Sequence, residues 1–199
     1  YEIITALNSF HGRTMMNVSA TGQPHYQELF EPIPTGFTHV PYNDLAAIKN
    51  ATNDNTVAVM IEPVQGEGGV NIPSIEYLRG VREWCDDNNM LLIFDEVQTG
   101  LGRLGTLFGY ESFGVEPDIM SLAKGLGGGV PIGAFLAKDS ACAFDPGDHG
   151  STFGGNPLTC AAAHASTKYL IDNNVAENSA KMGEYLGEGL KRLQADFEF

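Results

Sequence analysis

The sequence predicts an α/β protein: a mostly parallel sheet flanked by helices. Three observations carry that prediction. Residues 57–61 (VAVMI), 91–94 (LLIF) and 119–122 (IMSL) are short apolar runs, the pattern of strands buried on both faces. Segments with helical spacing alternate with these runs, as they do when parallel strands are joined by crossover helices. Charged residues then close two of the runs, Asp95 directly after LLIF and Lys124 just beyond IMSL. Open α/β sheets bind their ligands at such strand ends.

Taken in order, residues 2–7 read as the first strand, which NSFHGR (8–13) breaks. Residues 15–38 read as irregular, punctuated by Gly22-Gln23-Pro24 and Pro32-Ile33-Pro34. A short helix is expected over 43–51, capped by Asn43 or Asp44. The strand at 57–61 ends at Glu62-Pro63, and the glycine-rich stretch 65–69 follows. Pro73-Ser74 then opens a helix in which Ile75, Leu78, Val81 and Cys85 recur at near-helical spacing, beside Tyr77 and Trp84. After the strands at 91–94 and 119–122 comes a further strand at 132–137. Residues 156–171 form a helix with Pro157 in its first turn. A last helix is expected over 175–195, apolar at Met182, Leu186, Leu190 and Leu193. Its Gly183, Gly187 and Gly189 weaken it by about 1 kcal/mol each relative to Ala.

Composition narrows the function classes. With 43% hydrophobic residues, the 199-residue chain can bury a core, so disorder is not the reading. No apolar run approaches the ~20 residues that span a bilayer. The net charge of -14, from 11 Lys+Arg against 25 Asp+Glu, opposes binding to nucleic acid or to an anionic membrane. Cys85, Cys142 and Cys160 fit neither a disulfide framework nor a zinc site. Cys85 and Cys160 fall in helical apolar patterns and are expected to be core thiols, so a reduced, cytosolic protein is expected. His25, His39, His149 and His164 show no metal-ligand spacing among themselves, and no metal is assigned.

The chemistry centres on Lys124. Of the eight residues that follow it, five are Gly or Pro, which favours close approach of a bulky group to the backbone. A lysine at the end of a buried strand either turns out to solvent, as loop lysines commonly do, or has its nitrogen consumed in a Schiff base. Asp95 needs a cation: a salt bridge to Arg103 and a helix cap are the plain alternatives to a partner for a protonated pyridine nitrogen. Gln98 could donate to a phenolic oxygen, or be an exposed loop amide. Val97 and Phe10 could pack on ring faces, or simply belong to the core. Arg13 suits a substrate carboxylate, which it can grip bidentately, against the alternative of a surface arginine. His11 is a structural or supporting candidate. Glu67, between glycines in VQGEGGV, could gate a pocket or be a solvated turn residue. In HGSTFGGNP, Ser151 and Thr152 offer hydroxyls ahead of a helix, either for phosphate or in a plain capped loop.

Five motifs in order, SFHGRT, EPVQGEGG, FDEVQTGLGRLG, PDIMSLAKGLGGGVPIGA and DHGSTFGGNPL, make the chain resemble the class III aminotransferases. These are pyridoxal 5'-phosphate (PLP) enzymes of fold type I. The resemblance implies that Lys124 holds PLP covalently and shuttles the substrate proton, while Asp95 pairs the pyridine nitrogen. It further implies that Gln98 contacts the ring hydroxyl and that Phe10 and Val97 sandwich the ring. Ser151 and Thr152 are implied to reach the phosphate of the neighbouring subunit's cofactor, which makes the site a property of a homodimer. Arg13 is implied to hold a substrate carboxylate, and Glu67 to switch between pairing with an arginine and releasing it.

The implied reaction moves the terminal amino group of N-acetylornithine to 2-oxoglutarate; ornithine, succinyl-diaminopimelate and 4-aminobutyrate are the alternative donors. The resemblance divides the chain into residues 1–172, a PLP-binding large domain incomplete at its N-terminus, and residues 173–199, a helix leading toward a C-terminal domain. That domain would carry the arginine partner of Glu67, and the chain is expected to be a fragment of a longer protein. A PLP-dependent aminomutase is disfavoured because those enzymes typically carry Met where this chain has Gln98. A non-catalytic phosphate-binding module would explain the glycines but not an aspartate and a lysine at successive strand ends, and no GxGxxG opens a helix.

Overall fold

The computed structural model describes residues 1–197. In chain order the strands are β1 (Glu2–Ala6), β2 (Phe37–Val40), β3 (Thr56–Ile61), β4 (Leu91–Asp95), β5 (Ile119–Leu122) and β6 (Ala134–Ala137). The α-helices are α1 (Met15–Ala20), α2 (Pro24–Gln27), α3 (Leu45–Ala51), α4 (Ile75–Asp87), α5 (Gly109–Phe113), α6 (Pro157–Asp172) and α7 (Val175–Asp196). One six-stranded sheet results, in the order β2-β1-β3-β4-β5-β6. Every pairing is parallel except β5 with β6. The predicted fold class is therefore the observed one.

In this chain the face of the sheet's centre under α4 is closed, while the opposite face, with Met60, Leu91, Ile93 and Ile119, is half-buried. Ile4, Val59, Ile61, Leu92 and Phe94 are fully buried, and α4 closes one face with Tyr77, Leu78, Val81 and Cys85. Truncating a side chain such as Leu78 to Ala would cost about 2–5 kcal/mol. The ends of α4 follow from its caps. Ser74 accepts the Tyr77 N–H at one end, and Asn88 and Asn89 leave helical geometry at the other, Asn89 at φ 53°. Asp44, not Asn43, caps α3, accepting the Ala47 N–H; Asn43 instead accepts the Ser74 N–H.

Three expectations are corrected. The segment read as irregular holds α1, α2 and the first residues of β2. Val18 and Ala20 anchor α1 by burial, and β2 pairs along β1, so tertiary contacts supply order that local sequence does not. Cys160 is exposed rather than in the core, whereas Cys85 is buried. The physical reason is that α6 buries only Ala163. The strand at the far edge, β6, runs antiparallel and is largely exposed.

Helix α7 packs its small-residue side on the loop after β4. A Cβ on Gly105 would lie 2.9 Å from that of Ala180, so only glycine permits this approach. Its apolar side, with Met182, Leu186, Leu190 and Leu193, is more than half exposed. The segment assigned to 173–199 ends in Glu198 and Phe199, which lie outside the described residues. Among the described residues, no helix is long and apolar enough to cross a membrane.

Candidate active site

In the strand order, β1 has β2 on one side and β3 on the other, so the sheet changes direction of growth at this pair. Parallel strands bring their carboxyl ends to one edge, and a crevice opens where the order reverses. The loop after β1 carries Phe10, His11 and Arg13, and the loop after β3 carries Glu62 and Glu67. Asp95 is the last residue of β4 and is followed by Val97 and Gln98; Lys124 stands two residues beyond β5. Four of the five motifs, far apart in sequence, thus meet at one sheet edge.

Lys124 opens a 3-10 turn, Lys124–Gly127, and has φ 44°. A left-handed conformation costs a residue with a Cβ about 1–2 kcal/mol, and such strain concentrates at functional sites. Its ammonium makes no ion pair or hydrogen bond among the described residues, and the residue is exposed. It borders two hollows. One, of about 440 Å³, is lined by Val64, Gly66, Val97, Gln98 and Arg103 as well as Lys124. The other, of about 640 Å³, lies toward Pro131–Gly133 and Phe153–Asn156. Its nitrogen is thus uncommitted among the described residues at the edge of both spaces.

Gln98 lies across the backbone of Gly66, where an added Cβ would come within 2.4 Å of its Oε1. Glycine at 66 therefore makes room for the carboxamide, which has no hydrogen-bond partner among the described residues. Its donors remain available to a ligand in the cavity that Gln98 lines.

Asp95 is buried and is not paired with Arg103, which instead lines the cavity. Its Oδ2 lies 2.8 Å from His11 Nδ1, while Oδ1 accepts the Ser121 hydroxyl and the Val97 N–H, each at 3.1 Å. These contacts fix the carboxylate at the strand end. The other imidazole nitrogen, Nε2, is buried without a partner. Glu62 joins this group: its Oε2 accepts the Phe10 N–H at 3.2 Å and its Oε1 the Gly66 N–H at 3.4 Å. Burial pushes its carboxyl up to about 7, opposed by the nearby His11 and reinforced by Asp95.

Phe10, Arg13 and Glu67 gather around Tyr26, and none of the three lines either hollow beside Lys124. The Arg13 guanidinium carbon lies 4.2 Å from the centre of the Tyr26 ring and 5.3 Å from that of Phe10. Phe10 and Tyr26 meet edge to face, their centres 5.5 Å apart. Glu67 accepts hydrogen bonds from the Tyr26 hydroxyl, at 2.7 Å, and from the Gln23 amide. Those two bonds, led by Gln23, hold its carboxyl below the usual range despite exposure. Ser151 and Thr152 stand apart. Both are exposed, and Ser151 lines a separate cleft with Phe135 and Phe144.

Sequence reasoning left His11 as a supporting candidate and did not single out Glu62, Gln23 or Tyr26. Glu62 carries the signal that revealed Asp95, an acid directly after a buried apolar strand. His11 meets Asp95 across 84 residues of sequence, and no local pattern announces that contact.

The family model for class III aminotransferases matches residues 1–199. Among curated proteins, the chain is 54% identical to the acetylornithine aminotransferase of Gloeobacter violaceus, covering 99% of this chain and 49% of that protein. It is 58% identical to the acetylornithine aminotransferase of Methanothermobacter thermautotrophicus, covering 96% of this chain and 50% of that protein. Among solved structures, the ornithine aminotransferase of Toxoplasma gondii superposes with a TM-score of 0.91 at 40% identity, over 96% of this chain and 46% of that one. A second structure of that enzyme has partial occupancy of PLP at its active site. The chain spans about half the length of the curated relatives it matches.

Proposed function

Because the chain belongs to the class III aminotransferases, we propose that it supplies the PLP-binding core of an enzyme moving the terminal amino group of N-acetylornithine to 2-oxoglutarate. The products are N-acetylglutamate semialdehyde and glutamate. The observation that carries this reading is one arrangement: Lys124 and Asp95 at the ends of neighbouring parallel strands, with Val97 and Gln98 lining the cavity that Lys124 borders. The acetylornithine aminotransferases at 54% and 58% identity support the donor.

The residues present fit PLP. An amine without an ion pair, a buried carboxylate and an unpaired carboxamide beside a glycine are the groups that an aldehyde, a pyridine nitrogen and a phenolic oxygen call for. When bound, the cofactor supplies a carbonyl for amine exchange and an electron sink. Lys124 holds it and carries a proton to and from the substrate carbon. Asp95 keeps the pyridine nitrogen protonated, and His11 keeps Asp95 in place through Nδ1. Gln98 donates to the ring hydroxyl, while Phe10 and Val97 flank the ring and keep water off it. Arg13 takes a substrate carboxylate, and Glu67 governs which substrate is admitted. Ser151 and Thr152, which line neither hollow beside Lys124 in their own chain, reach the phosphate in the neighbouring subunit of a homodimer. Residues 1–172 belong to the large domain and 173–199 lead toward a C-terminal one, in a cytosolic protein.

Ornithine is the second reading of the donor, favoured by the 40% identity to an ornithine aminotransferase. The test uses the full-length protein. Borohydride reduction and peptide mapping should find the pyridoxyl group on Lys124, and Lys124→Ala should abolish turnover. A label on Lys49 or Lys138 would overturn the assignment. With 2-oxoglutarate as acceptor, N-acetylornithine should show the highest kcat/KM of the candidate donors; ornithine in first place would replace it.

A further inference from the structure

Left-handed backbone carrying a side chain is concentrated around one cavity. Among the described residues, seven other than glycine have φ in that region. Four are asparagines, Asn8, Asn43, Asn89 and Asn174, the residue whose short polar side chain tolerates it. The other three are Val70 at φ 56°, Leu101 at 59° and Lys124 at 44°, and all three line the hollow of about 440 Å³. A β-branched residue such as Val70 is a genuine outlier in this conformation.

Hydrogen bonds hold both apolar residues there. Gln65 and Asn71 exchange backbone bonds of 3.1 and 2.9 Å across the base of the loop after β3, and the Asn71 amide donates to Gln65 Oε1 at 2.9 Å. Inside that closed loop the Val70 N–H donates to the Gly66 carbonyl at 3.3 Å. Leu101 stands between Gly100, whose N–H donates to the Glu96 carbonyl at 2.9 Å, and Gly102, whose N–H donates to the Leu107 carbonyl at 3.0 Å. The buried Glu96 carboxylate clamps this second loop by accepting the Gly109 and Tyr110 N–H groups.

Glycine would take these positions at no steric cost, and glycines adjoin all three: Gly69 before Val70, Gly100 and Gly102 around Leu101, Gly125 after Lys124. What stands at each strained point is therefore explained by what its side chain does. Lys124 supplies an amine, and Leu101 packs against the cluster of Leu122, Leu126 and Ala163. Val70 has no such reason within the chain: it is 68% exposed and belongs to neither buried cluster. Its branch is held out at the edge of the hollow that Val97, Gln98 and Lys124 also line.

Strain of this kind persists where the surrounding structure over-determines it, and it clusters at ligand clamps. We infer that Val70 is a specificity-determining residue, an apolar wall against which the hydrocarbon chain of the amino donor lies. Leu101 and Leu104 continue the wall in the same cavity. None of these three side chains carries a hydrogen-bonding atom, so the part of the donor they recognise is its methylenes, not its carboxylate or its amide. The inference rests on the reading of this cavity as the place where the donor amine meets Lys124.

The test is made on the full-length PLP-loaded protein with Val70→Gly and Val70→Asn. Both residues accept the left-handed backbone, and both substitutions remove the apolar branch. Each should raise the urea midpoint, because strain is relieved. Each should also raise KM for N-acetylornithine about three- to tenfold, the worth of little more than one buried methylene. The change in kcat should be smaller, and the absorbance of bound PLP should not move. Val70→Ile returns a branched apolar side chain and should recover most of the lost KM. Parental KM in both variants overturns the proposal, as does a loss carried by kcat alone. A lowered urea midpoint in both removes the premise that Val70 is strained, and the inference falls with it. Borohydride labelling separates the two levels. A pyridoxyl group away from Lys124 sinks the reading of the cavity, whereas a label on Lys124 with parental KM in the Val70 variants sinks the wall alone.

Discussion

Replacing Glu62 by Gln should change how the stability of the protein depends on pH. Glu62 is buried at the end of β3, where it accepts N–H groups from the loops after β1 and β3. Its carboxyl is pushed from the ordinary 4.5 up to about 7, chiefly by burial. Between those two values the folded state holds a proton that the unfolded chain releases, so stability falls as pH rises through this window. Below the window there is no differential; above it the full loss is in place. At 1.36 kcal/mol per unit, a shift from 4.5 to about 7 corresponds to about 3 kcal/mol at most. Gln has nearly the same shape, keeps one oxygen for an N–H and cannot ionise. Urea unfolding of the full-length protein and its Glu62→Gln variant from pH 5 to 8 isolates this group, since other titrations cancel in the difference. The variant should gain about 2–3 kcal/mol relative to the parent across that range. A difference that stays flat with pH would refute the assignment of a protonated Glu62, and an infrared carboxyl band that titrates near neutrality should vanish in the variant.

Two further outcomes are expected. Asp95→Asn keeps the size of the side chain and removes the charge that His11 and Ser121 position, so turnover of the full-length enzyme should fall at least ~100-fold and PLP affinity with it; near-parental activity would reduce Asp95 to a structural pairing with His11. Expressed alone, the 199-residue chain should bind PLP weakly, show no transamination of N-acetylornithine and associate through the exposed stripe Met182, Leu186, Leu190 and Leu193. Side-by-side assay and sizing against the full-length protein checks this, and a monodisperse, active chain would refute it.

What the sequence made legible follows from the range over which each feature is determined. The central strands are local: a continuous apolar run marks a strand on its own, and VAVMI and LLIF supply it without reference to anything else, although only one face of them is closed in this chain. β2 is not local. FTHV is only partly buried and is held as a strand by pairing with β1, some thirty residues earlier, so its sequence carries no strand pattern of its own. The same division runs through the site. Lys124 and Asp95 were visible because a charge at the end of an apolar strand is anomalous on the spot, and Glu62 broke the same rule. The contacts that give those charges their partners are not local. His11 reaches Asp95 past the intervening strand β3, and the Arg13–Tyr26–Glu67 cluster depends on a four-residue helix inside a stretch that reads as loop. A strand end shows where a charge must stand; the crossover connections determine which side chain meets it. Residues that hold other residues in place are therefore the ones that local pattern misses, and in this chain they are Tyr26, Gln23 and His11.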